Sequence, residues 1–334
     1  MRPQPPYQQG FDTHRNYVGS EDKYDLLAAT QFAALVGLGL RDTHSLLDLG
    51  CGSLRGGRLC IPYLEPERYF GIEPNRWLVE DGLAQNLGQD VLQVKRPQFA
   101  YNDDFDLGVF GRTFDYILAQ SIFSHAAACQ IERCFASARR VMGPTSLLAG
   151  TYFRGQASYT GDAWVYPGCV EYRPEDLAAM AVAAGLAFKP YLHFHPNGQS
   201  WFVLYDDQPF DAAALRDEPG RFAGNFDGSA VAYPGVRLLW GWAVDNAGRL
   251  DEIEIVVIDR RGRLAAKTTT RIHRQDVVDA LDRDGCDRPG WRVSIPTALF
   301  EPGPQPLRTY ALDPDAKCAC YIGAVEIDVP AAAS

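Results

Sequence analysis

The feature that most constrains the fold is a glycine-rich stretch over positions 46–57, which reads LLDLGCGSLRGG. Apolar residues flank Asp48, and four glycines follow it. The pattern predicts a short buried strand, a tight turn through Gly50 and Gly52, and a helix that begins near Gly56. Glycine is required where the backbone takes a positive φ or where a ligand approaches it closely. A strand, a turn and a helix N-terminus in this order place backbone N–H groups at the carboxyl edge of a sheet, where open α/β sheets bind ligands.

The spacing of these glycines narrows the choice of ligand. A dinucleotide-binding fingerprint has the form G-x-G-x-x-G, but Arg55 stands where its third glycine would be. The order found is instead acid, any residue, glycine, any residue, glycine. A second predicted strand, Tyr69–Ile72, runs directly into Glu73. An acid at this point can accept hydrogen bonds from both hydroxyls of a ribose, so Glu73 indicates a nucleoside ligand without saying which one.

Length and charge limit the architecture and the partners. The chain has 334 residues, which is long enough for two domains, and a formal net charge of −10 at neutral pH. Nucleic acid and anionic membranes require a basic face, so this charge argues against both as main partners. No apolar run reaches the length of a membrane span, and the first residues, MRPQPP, lack the apolar segment of a secretory signal.

Cysteine usage points to a reducing compartment. The eight cysteines lie mostly inside apolar segments and show no evident disulfide framework, so we expect a cytoplasmic protein. Cys318 and Cys320 are two apart on one predicted strand and have no second pair nearby. Two thiolates make a poor zinc site, so no metal is predicted.

Helix-like and strand-like stretches alternate over the first 206 residues, which predicts an α/β fold with a Rossmann-like sheet of seven strands. A helix over Lys23–Gly37, with Leu26 on its apolar stripe, precedes the glycine turn. A hairpin formed by Phe188–Phe194 and Ser200–Tyr205 closes the sheet in the antiparallel sense. The five strands before it are predicted over residues 46–48, 69–72, 99–101, 114–121 and 147–153.

In the remainder of the chain the spacing of the apolar residues changes. Short strand-like runs separated by turns predict a smaller all-β sandwich domain. In Glu252–Ile258 apolar residues alternate with acids, the pattern of a strand with one face in water. The stretch from Asp206 to Gly228 is rich in Asp, Pro, Gly and Ala, which favours a domain boundary there. We predict a first domain over 1–207, a linker over 208–227 and the sandwich over 228–330.

Several side chains are candidates for contact with a second substrate. Ser124 follows the fourth predicted strand, and His195 lies in the hairpin turn near the same edge of the sheet. The loop over 164–172 is dense in aromatic residues, and such faces stack on sugars or planar rings, so Trp164 and Tyr166 are further candidates. Packing roles for the histidine and a closed lid without specificity for the loop remain open alternatives.

The run from Asp48 to Gly52 resembles the first motif of the class I S-adenosylmethionine-dependent methyltransferases, and residues of about 15–206 are similar to this family in the order of their elements. The resemblance implies S-adenosylmethionine as the cofactor, the two turn glycines along its methionine part and Glu73 on its ribose. It also implies an acid after the third strand, here Asp103, at the adenine amino group, with a solvated loop acid as the alternative. Arg55 at the glycine turn could pair with the cofactor carboxylate or be a solvated surface residue. The predicted cofactor-binding residues are Asp48, Gly50, Cys51, Gly52, Arg55, Glu73, Asp103 and Gln120.

The end of the fourth strand faces the transferred methyl group in this family, which makes His125 the predicted catalytic base. An oxygen or nitrogen acceptor loses a proton on methylation, so a base within hydrogen-bond reach helps. The N/D-P-P-Y/F tetrapeptide of adenine- and glutamine-N-methylating enzymes is absent, because Ala119–Ile122 reads AQSI. Oxygen acceptors are therefore favoured.

The predicted sandwich is similar to the small β-sandwich modules appended to bacterial glycosyltransferases, on the basis of Gly241–Asp245 and Ile253–Ile258. This likeness implies a bacterial protein and, by analogy, a carbohydrate acceptor. We expect an enzyme that methylates a hydroxyl of a sugar or another small molecule. Two alternatives stay open: a protein that binds the cofactor, a glycan or a partner chain without turnover, and an NAD-dependent enzyme.

Overall fold

The computed structural model describes residues 13–210, 216–248, 252–281, 287–313, 315 and 317–331. Its main division lies between Asp206 and Asp207 and separates two compact units. The helices of the first unit are α1 His14–Tyr17, α2 Tyr24–Gly37, α3 Gly57–Tyr63, α4 Arg76–Asn86, α5 Gln89–Lys95, α6 Ala128–Val141 and α7 Pro174–Ala183. Its strands are β1 Leu46–Leu49, β2 Tyr69–Ile72, β3 Gln98–Ala100, β4 Phe114–Ala119, β5 Met142–Arg154, β6 Glu171–Tyr172, β7 Ala187–Tyr191 and β8 Ser200–Tyr205. Short 3₁₀ turns cover Glu21–Lys23 and Leu107–Phe110.

The sheet of the first unit has the strand order β3-β2-β1-β4-β5-β8-β7, with the two-residue β6 paired to β5 as an eighth strand. β1 to β5 pair in parallel, and β8 runs antiparallel to both β5 and β7. This confirms the predicted Rossmann-like sheet of seven strands with an antiparallel hairpin; β6 is an addition. The order reverses between β1 and β4, so the carboxyl ends of these strands open a crevice where ligands bind in such folds.

Helix α6 shares an apolar core with β4, the strand that precedes the predicted catalytic residue His125. Its buried apolar residues recur at intervals of three and four, which aligns them on one face. That face belongs to the core that also includes the inner side chains of β1, β4 and β5. The buried apolar residues of α6 are Ile131, Cys134, Phe135, Ala138 and Val141.

Some local expectations differ from the structure. Leu26 is 50% exposed, so the stripe predicted for α2 is narrower than expected. Helix α5 was not predicted because it contains no buried residue and therefore no apolar stripe. Helix α7 ends at Ala183, and Gly185, directly after its cap residue, takes a left-handed φ of +75°.

The second unit contains two sheets with the orders β10-β11-β14 and β13-β12-β15-β16-β9. Apolar side chains from both sheets share one core around Trp291, which confirms a β-rich domain in this part of the chain. The bounds of its elements are β9 Arg216–Asp217, β10 Phe222–Tyr233, β11 Val236–Asp245, β12 Glu254–Ile258, β13 Leu264–Thr269, α8 Gln275–Leu281, β14 Gly290–Pro296, a 3₁₀ turn Thr297–Leu299, β15 Gly303–Asp313 and β16 Cys318–Val329.

Two findings in this unit depart from the sequence analysis. Strand β12 is buried on both faces, because Val256 and Ile258 join a second small apolar cluster, so the predicted wet face is wrong. Strand β10 begins inside the stretch predicted as a linker, where its glycines conceal a strand pattern. Gly228 is required there: a Cβ would stand 2.7 Å from the ring of Trp240. The limits of the predicted domains stay a prediction.

Candidate active site

A cavity of about 860 Å³ opens at the carboxyl ends of β1, β2 and β4. Its size lies within the range of small-molecule and cofactor pockets, about 300–1,000 Å³. The lining includes the glycine turn after β1, the residues after β2 and β3, the end of β4 and the aromatic loop. The cavity therefore occupies the place that the sequence predicted for a cofactor.

The glycine turn forms one wall of this cavity. Gly50 and Gly52 have φ values of +67° and +54°, which other residues adopt only with strain. A Cβ on Gly50 would lie 2.2 Å from Cδ1 of Ile122, and a Cβ on Gly52 would lie 2.8 Å from Cγ1 of Val18. The carbonyl of Ile72 accepts hydrogen bonds from the N–H groups of Gly50 and Cys51, at 2.8 and 3.1 Å. The turn is thus tied to β2 and covered by the segment before α2.

Glu73 is buried beside the turn and faces the cavity. One carboxylate oxygen accepts from the N–H of Gly52 at 3.1 Å, and the other accepts from the N–H and Nδ2 of Asn75, both at 2.9 Å. Burial raises the pKa of Glu73 above its ordinary value, and these hydrogen bonds oppose that rise. A carboxylate has about four lone-pair positions. Three are used, so one is left for a ligand.

Arg55 is a buried cation in the wall of the cavity, only 8% exposed. Its Nη1 donates to the carbonyl of Val18 at 2.7 Å, and its Nη2 donates to Oε1 of Gln120. Its Nε is buried without a hydrogen-bond partner, and no carboxylate of the described residues forms an ion pair with the guanidinium. Burial lowers the pKa of Arg55 to about 10, so the group remains charged at neutral pH. The carboxylate of Asp48 is near enough to favour this charge but makes no direct ion pair with it. A buried charge without a direct partner is costly.

Gln120, at the end of β4, joins several polar groups. Its Oε1 accepts from Arg55 and from Nε2 of Gln31, and its Nε2 donates to Oγ of Ser121. Nε2 of His195 lies 2.9 Å from the same amide nitrogen. Gln120 therefore connects the cation of the glycine turn to the hydroxyl of Ser121 across the floor of the cavity.

His125 lines the cavity with one ring nitrogen committed to the backbone. Its Nδ1 lies 3.0 Å from the carbonyl of Val165 and 2.7 Å from that of Gly168. Because carbonyls only accept, Nδ1 carries the hydrogen and Nε2 keeps its lone pair. Within the described part of the chain, Nε2 has no hydrogen-bond partner. Burial lowers the pKa of His125, although the two carbonyls oppose this, so the imidazole is neutral at pH 7.

The loop after β3 forms a more open part of the lining. Asp103 is exposed there. Asn102 donates through Nδ2 to Oδ1 of Asp104 and to the carbonyl of Asp106, at 2.8 and 3.0 Å, whereas its Oδ1 is buried without a partner. An acceptor without a donor in a cavity wall is available to an amino group of a ligand.

Four predicted site residues do not line the cavity. Asp48 lies beneath the turn, where its Oδ2 accepts from the hydroxyl of Tyr69 at 2.7 Å, and burial raises its pKa to about 6. Cys51 is buried against β2, and its Sγ would stand 2.8 Å from a Cβ on Gly71. Ser124 is fully buried with an unpartnered Oγ, and His195 lies behind Gln120.

The other nine predicted residues do line it, and they come from five separate segments of the chain. They are Gly50, Gly52, Arg55, Glu73, Asp103, Gln120, His125, Trp164 and Tyr166. Their functional roles stay predictions.

Comparison with known proteins adds a family to this geometry. Residues 47–148 match the methyltransferase domain family. The match covers just under a third of the chain and includes the glycine turn, Glu73 and the end of β4. It confirms the predicted resemblance over these residues. No curated protein matches the chain.

Solved structures similar to the chain include three proteins of which it spans most of the length. Magnesium protoporphyrin IX methyltransferase from Synechocystis PCC 6803 with bound SAM is 14% identical over 60% of this chain and 92% of its own, with a TM-score of 0.46. The sugar N-methyltransferase KedS8 from Streptoalloteichus sp ATCC 53650 is 14% identical over 57% and 91%, with a TM-score of 0.43. DesVI from Streptomyces venezuelae is 16% identical over 57% and 94%, with a TM-score of 0.43.

The cavity lining also includes residues that were not among the predicted site residues. Tyr17 and Val18, in α1 and directly after it, were expected only as part of a segment upstream of α2 that could fold over a cofactor, with an ordered surface loop as the alternative. Asn75 binds Glu73 from two residues away, a short-range signal that the sequence did contain. Ser121 and Gln199 meet through the antiparallel hairpin, and no spacing rule would have paired them.

Two absences hold for the described ranges. They contain no helix long and apolar enough to cross a membrane. They also bring together no group of three His, Cys, Asp or Glu side chains able to hold a metal ion.

Proposed function

We propose that the chain is an S-adenosylmethionine-dependent methyltransferase that methylates a hydroxyl of a sugar or another small molecule. The observation that carries the proposal is the buried guanidinium of Arg55, which has no carboxylate partner in the described structure and an unpartnered Nε. S-adenosylmethionine ends in a carboxylate, which would supply the missing anion. An NAD molecule would bring a pyrophosphate to the turn, but the third glycine of its fingerprint is absent.

Other residues of the cavity fit the remainder of the cofactor. Glu73 has one acceptor position left for a ribose hydroxyl. Asn102 and Asp103 offer acceptors for an amino group at the edge of a purine. The positive φ angles of Gly50 and Gly52 let the chain approach a ligand without a Cβ between them. The fit of these residues to the cofactor and the family match over residues 47–148 support the same proposal.

When bound, S-adenosylmethionine supplies an activated methyl group: the acceptor oxygen bonds to the methyl carbon while the carbon–sulfur bond breaks, sulfur keeps that electron pair, and the hydroxyl proton passes to a base. His125 is the proposed base, because its Nδ1–H is fixed by two carbonyls and its Nε2 has a free lone pair at the cavity wall. The rings of Trp164 and Tyr166, from the aromatic loop, pack against the ring of His125.

The cofactor assignment is tested by titration calorimetry with two nucleosides. S-adenosylhomocysteine carries the carboxylate, whereas methylthioadenosine lacks it. Replacing Arg55 with glutamine (Arg55→Gln) should weaken S-adenosylhomocysteine binding by about 30-fold or more, the size expected for one member of a buried charge pair. The same variant should bind methylthioadenosine as the wild type does.

A matched variant distinguishes ribose recognition from carboxylate recognition. Glu73→Gln should weaken both nucleosides, because both contain the ribose. If Arg55→Gln fails to fold, the wild type alone gives the answer, since it should prefer S-adenosylhomocysteine to methylthioadenosine by a similar factor. Equal affinity for the two nucleosides in the wild type would contradict the role of Arg55, and binding of neither would overturn the cofactor.

Turnover is a separate measurement. Release of S-adenosylhomocysteine in the presence of sugars and other hydroxyl compounds, with the methylated product identified by mass, would support an enzyme. Tight cofactor binding without methylation of any hydroxyl compound would instead support a binding protein.

A further inference from the structure

One side of the cavity is a continuous row of aromatic rings, here called the aromatic wall. Neighbouring ring centroids lie between 5.1 and 6.4 Å apart, within the range of favourable aromatic pairs. The hydroxyl of Tyr166 donates to the carbonyl of Tyr17, so the polar tip of that ring is already used and its faces are apolar. In order, the wall consists of Tyr17, Tyr166, His125, Trp164 and Phe105.

The cavity also contains a hydroxyl, on Ser121, whose donor hydrogen is unused. Oγ of Ser121 accepts from Nε2 of Gln120 and from Nε2 of Gln199, the latter at 2.9 Å. A hydroxyl has two lone pairs and one hydrogen. With both lone pairs engaged by amide nitrogens, the hydrogen is directed to a ligand.

The orientation of these groups is fixed by Thr151. Its Oγ1 accepts from the N–H of Ser121 at 2.7 Å and donates to Oε1 of Gln199. In this orientation Gln199 presents its nitrogen to Ser121. Ser121 itself has a φ of +59°, a conformation that costs free energy in a non-glycine residue and persists where the surroundings enforce it.

The charges of the lining exclude one class of acceptor. Arg55 is the only cation among the described lining residues, and the proposed function assigns it to the cofactor carboxylate. The charged residues that remain in the lining are the acids Glu73 and Asp103. Lys23 lies near the rim but donates to Oδ1 of Asn197 and the carbonyl of Pro196. A phosphate or carboxylate on the acceptor would find no counterion here, and burying it unpaired would be costly.

The base has a strength that suits an acidic hydroxyl. Burial lowers the pKa of His125, which makes its imidazole a weaker base than a free histidine. A phenol hydroxyl has a pKa near 10, far below that of an alkyl alcohol. Proton transfer to His125 is therefore less unfavourable from a phenol than from a sugar.

We infer that the acceptor is an uncharged planar phenol, stacked on the aromatic wall, with the hydroxyl of Ser121 donating to one of its oxygens and Nε2 of His125 facing the hydroxyl that reacts. The inference rests on the proposed function and narrows it from small-molecule hydroxyls to uncharged phenols. During transfer the phenol oxygen gains the methyl group, the sulfur keeps the electron pair of the broken bond, and His125 takes the proton.

The test uses the full chain saturated with S-adenosylhomocysteine for binding, or with S-adenosylmethionine for turnover. The panel contains 4-methylcatechol, naphthalene-2,3-diol and a dihydroxyflavone as uncharged phenols. It also contains 3,4-dihydroxybenzoate, in which a carboxylate replaces the methyl group of 4-methylcatechol, together with methyl glucoside and UDP-glucose. We expect at least one uncharged phenol to bind and be methylated, with kcat/KM at least about 10-fold above that of the carboxylate analogue, and no methylation of either sugar.

Two variants test the named contacts. Trp164→Ala and Ser121→Ala should each raise KM for the phenol by about 5-fold, the size of one stacking contact or one hydrogen bond. The affinity for S-adenosylhomocysteine should stay within twofold of wild type, which shows that the variants are folded. Tyr321→Ala removes an exposed aromatic side chain in the second unit and should change neither value.

Several outcomes would overturn the inference. They are preferential methylation of a sugar or of the carboxylate analogue, no binding by any uncharged phenol, or an unchanged KM in both variants. Each can occur with cofactor binding intact, whereas loss of cofactor binding in the wild type would count against the proposed function itself.

Discussion

His125 shows how a backbone can decide the chemistry of a side chain. Two carbonyls from the 164–172 loop face its Nδ1, so the ring is held with the hydrogen on that nitrogen. A lone pair is thereby presented at Nε2 without any acidic partner. The sequence indicated that a histidine follows β4, but not which nitrogen would be free, because the carbonyls that decide it belong to residues 40 and 43 positions away.

The pH dependence of methyl transfer should reflect this histidine. A base acts only when unprotonated, and the pKa of His125 is lowered by burial from 6.5. We expect kcat/KM to be flat near pH 8 and to fall about tenfold per pH unit below the lowered pKa, so that the fall begins at a lower pH than an ordinary histidine would give. The measurement is a pH profile of S-adenosylhomocysteine formation, with cofactor saturating.

A variant and a neighbour identify the group responsible. His125→Gln should lower kcat by about 100- to 10,000-fold and remove the acid limb from what activity remains. His195 cannot supply that limb near pH 6, because burial and the nearby Arg55 lower its pKa to about 4. Asp48, with a pKa of about 6, titrates in the same range and is present in both proteins. An acid limb that is the same in His125→Gln as in the wild type would therefore contradict the assignment of the base.

The glycine turn after β1 is the element whose backbone conformation the site depends on most. Gly50 and Gly52 combine positive φ with close neighbours, so a side chain at either position meets both torsional strain and a clash. Ile122, which a Cβ on Gly50 would strike, also lines the cavity. A side chain at Gly50 would therefore displace a residue of the cavity lining.

Gly50→Ala should destabilise the first unit and weaken S-adenosylhomocysteine binding. The left-handed conformation alone costs an alanine about 1 kcal/mol, and overpacking against Ile122 adds about 1–3 kcal/mol. The measurements are denaturant unfolding and calorimetry.

Gly111→Ala is the matched control for this substitution. Gly111 has a φ of +63°, a Cβ added to it would meet nothing within 4 Å, and it lies outside the cavity lining. The variant should lose only the conformational contribution of about 1 kcal/mol and keep its cofactor affinity. Equal effects of the two substitutions on binding would show that the turn does not shape the site.

Elements with a repeating apolar pattern were predictable, and those without one were not. β1, β2 and β8 were found within one residue of their predicted bounds because each is a short run of buried apolar residues. Helix α5 and strand β10 were missed, since one has no buried face and the other depends on glycines that make room for Trp240. The same limit applies to the site: Glu73 follows a strand and was found, whereas Ser121 acquires Thr151 and Gln199 as partners only through tertiary contacts.

At the scale of the whole chain, the described cavity lining lies between positions 16 and 199, within the first of two compact units. The second unit has its own core and its own buried ion cluster, in which Arg221 bonds to Asp245 and Asp313 at 3.2 and 3.0 Å. Each unit thus has the internal contacts that a domain needs to fold by itself.

A shortened chain that ends at Gln208 should therefore bind S-adenosylhomocysteine with an affinity within about threefold of the full chain. It keeps the ion pair between Arg139 and Asp206 at 3.0 Å, which closes the end of β8 onto α6. Calorimetry on the two chains, after circular dichroism has shown that both are folded, gives the comparison. A folded short chain that has lost its affinity would show that the second unit takes part in the cofactor site.

The side-chain amide of Gln120 contacts two residues with different proposed roles. Its oxygen accepts a hydrogen bond from Arg55, and its nitrogen donates one to Ser121. A bound anion that shifts Arg55 would change the hydrogen bond that Oε1 of Gln120 accepts from it. Because the amide group is planar and rigid, its movement would also change the hydrogen bond that its nitrogen donates to Ser121. Occupancy at one end is thereby communicated to the other, and such linkage is reciprocal. The affinity of either substrate should accordingly depend on whether the other is bound, which calorimetry with each ligand in the presence and absence of the other would measure.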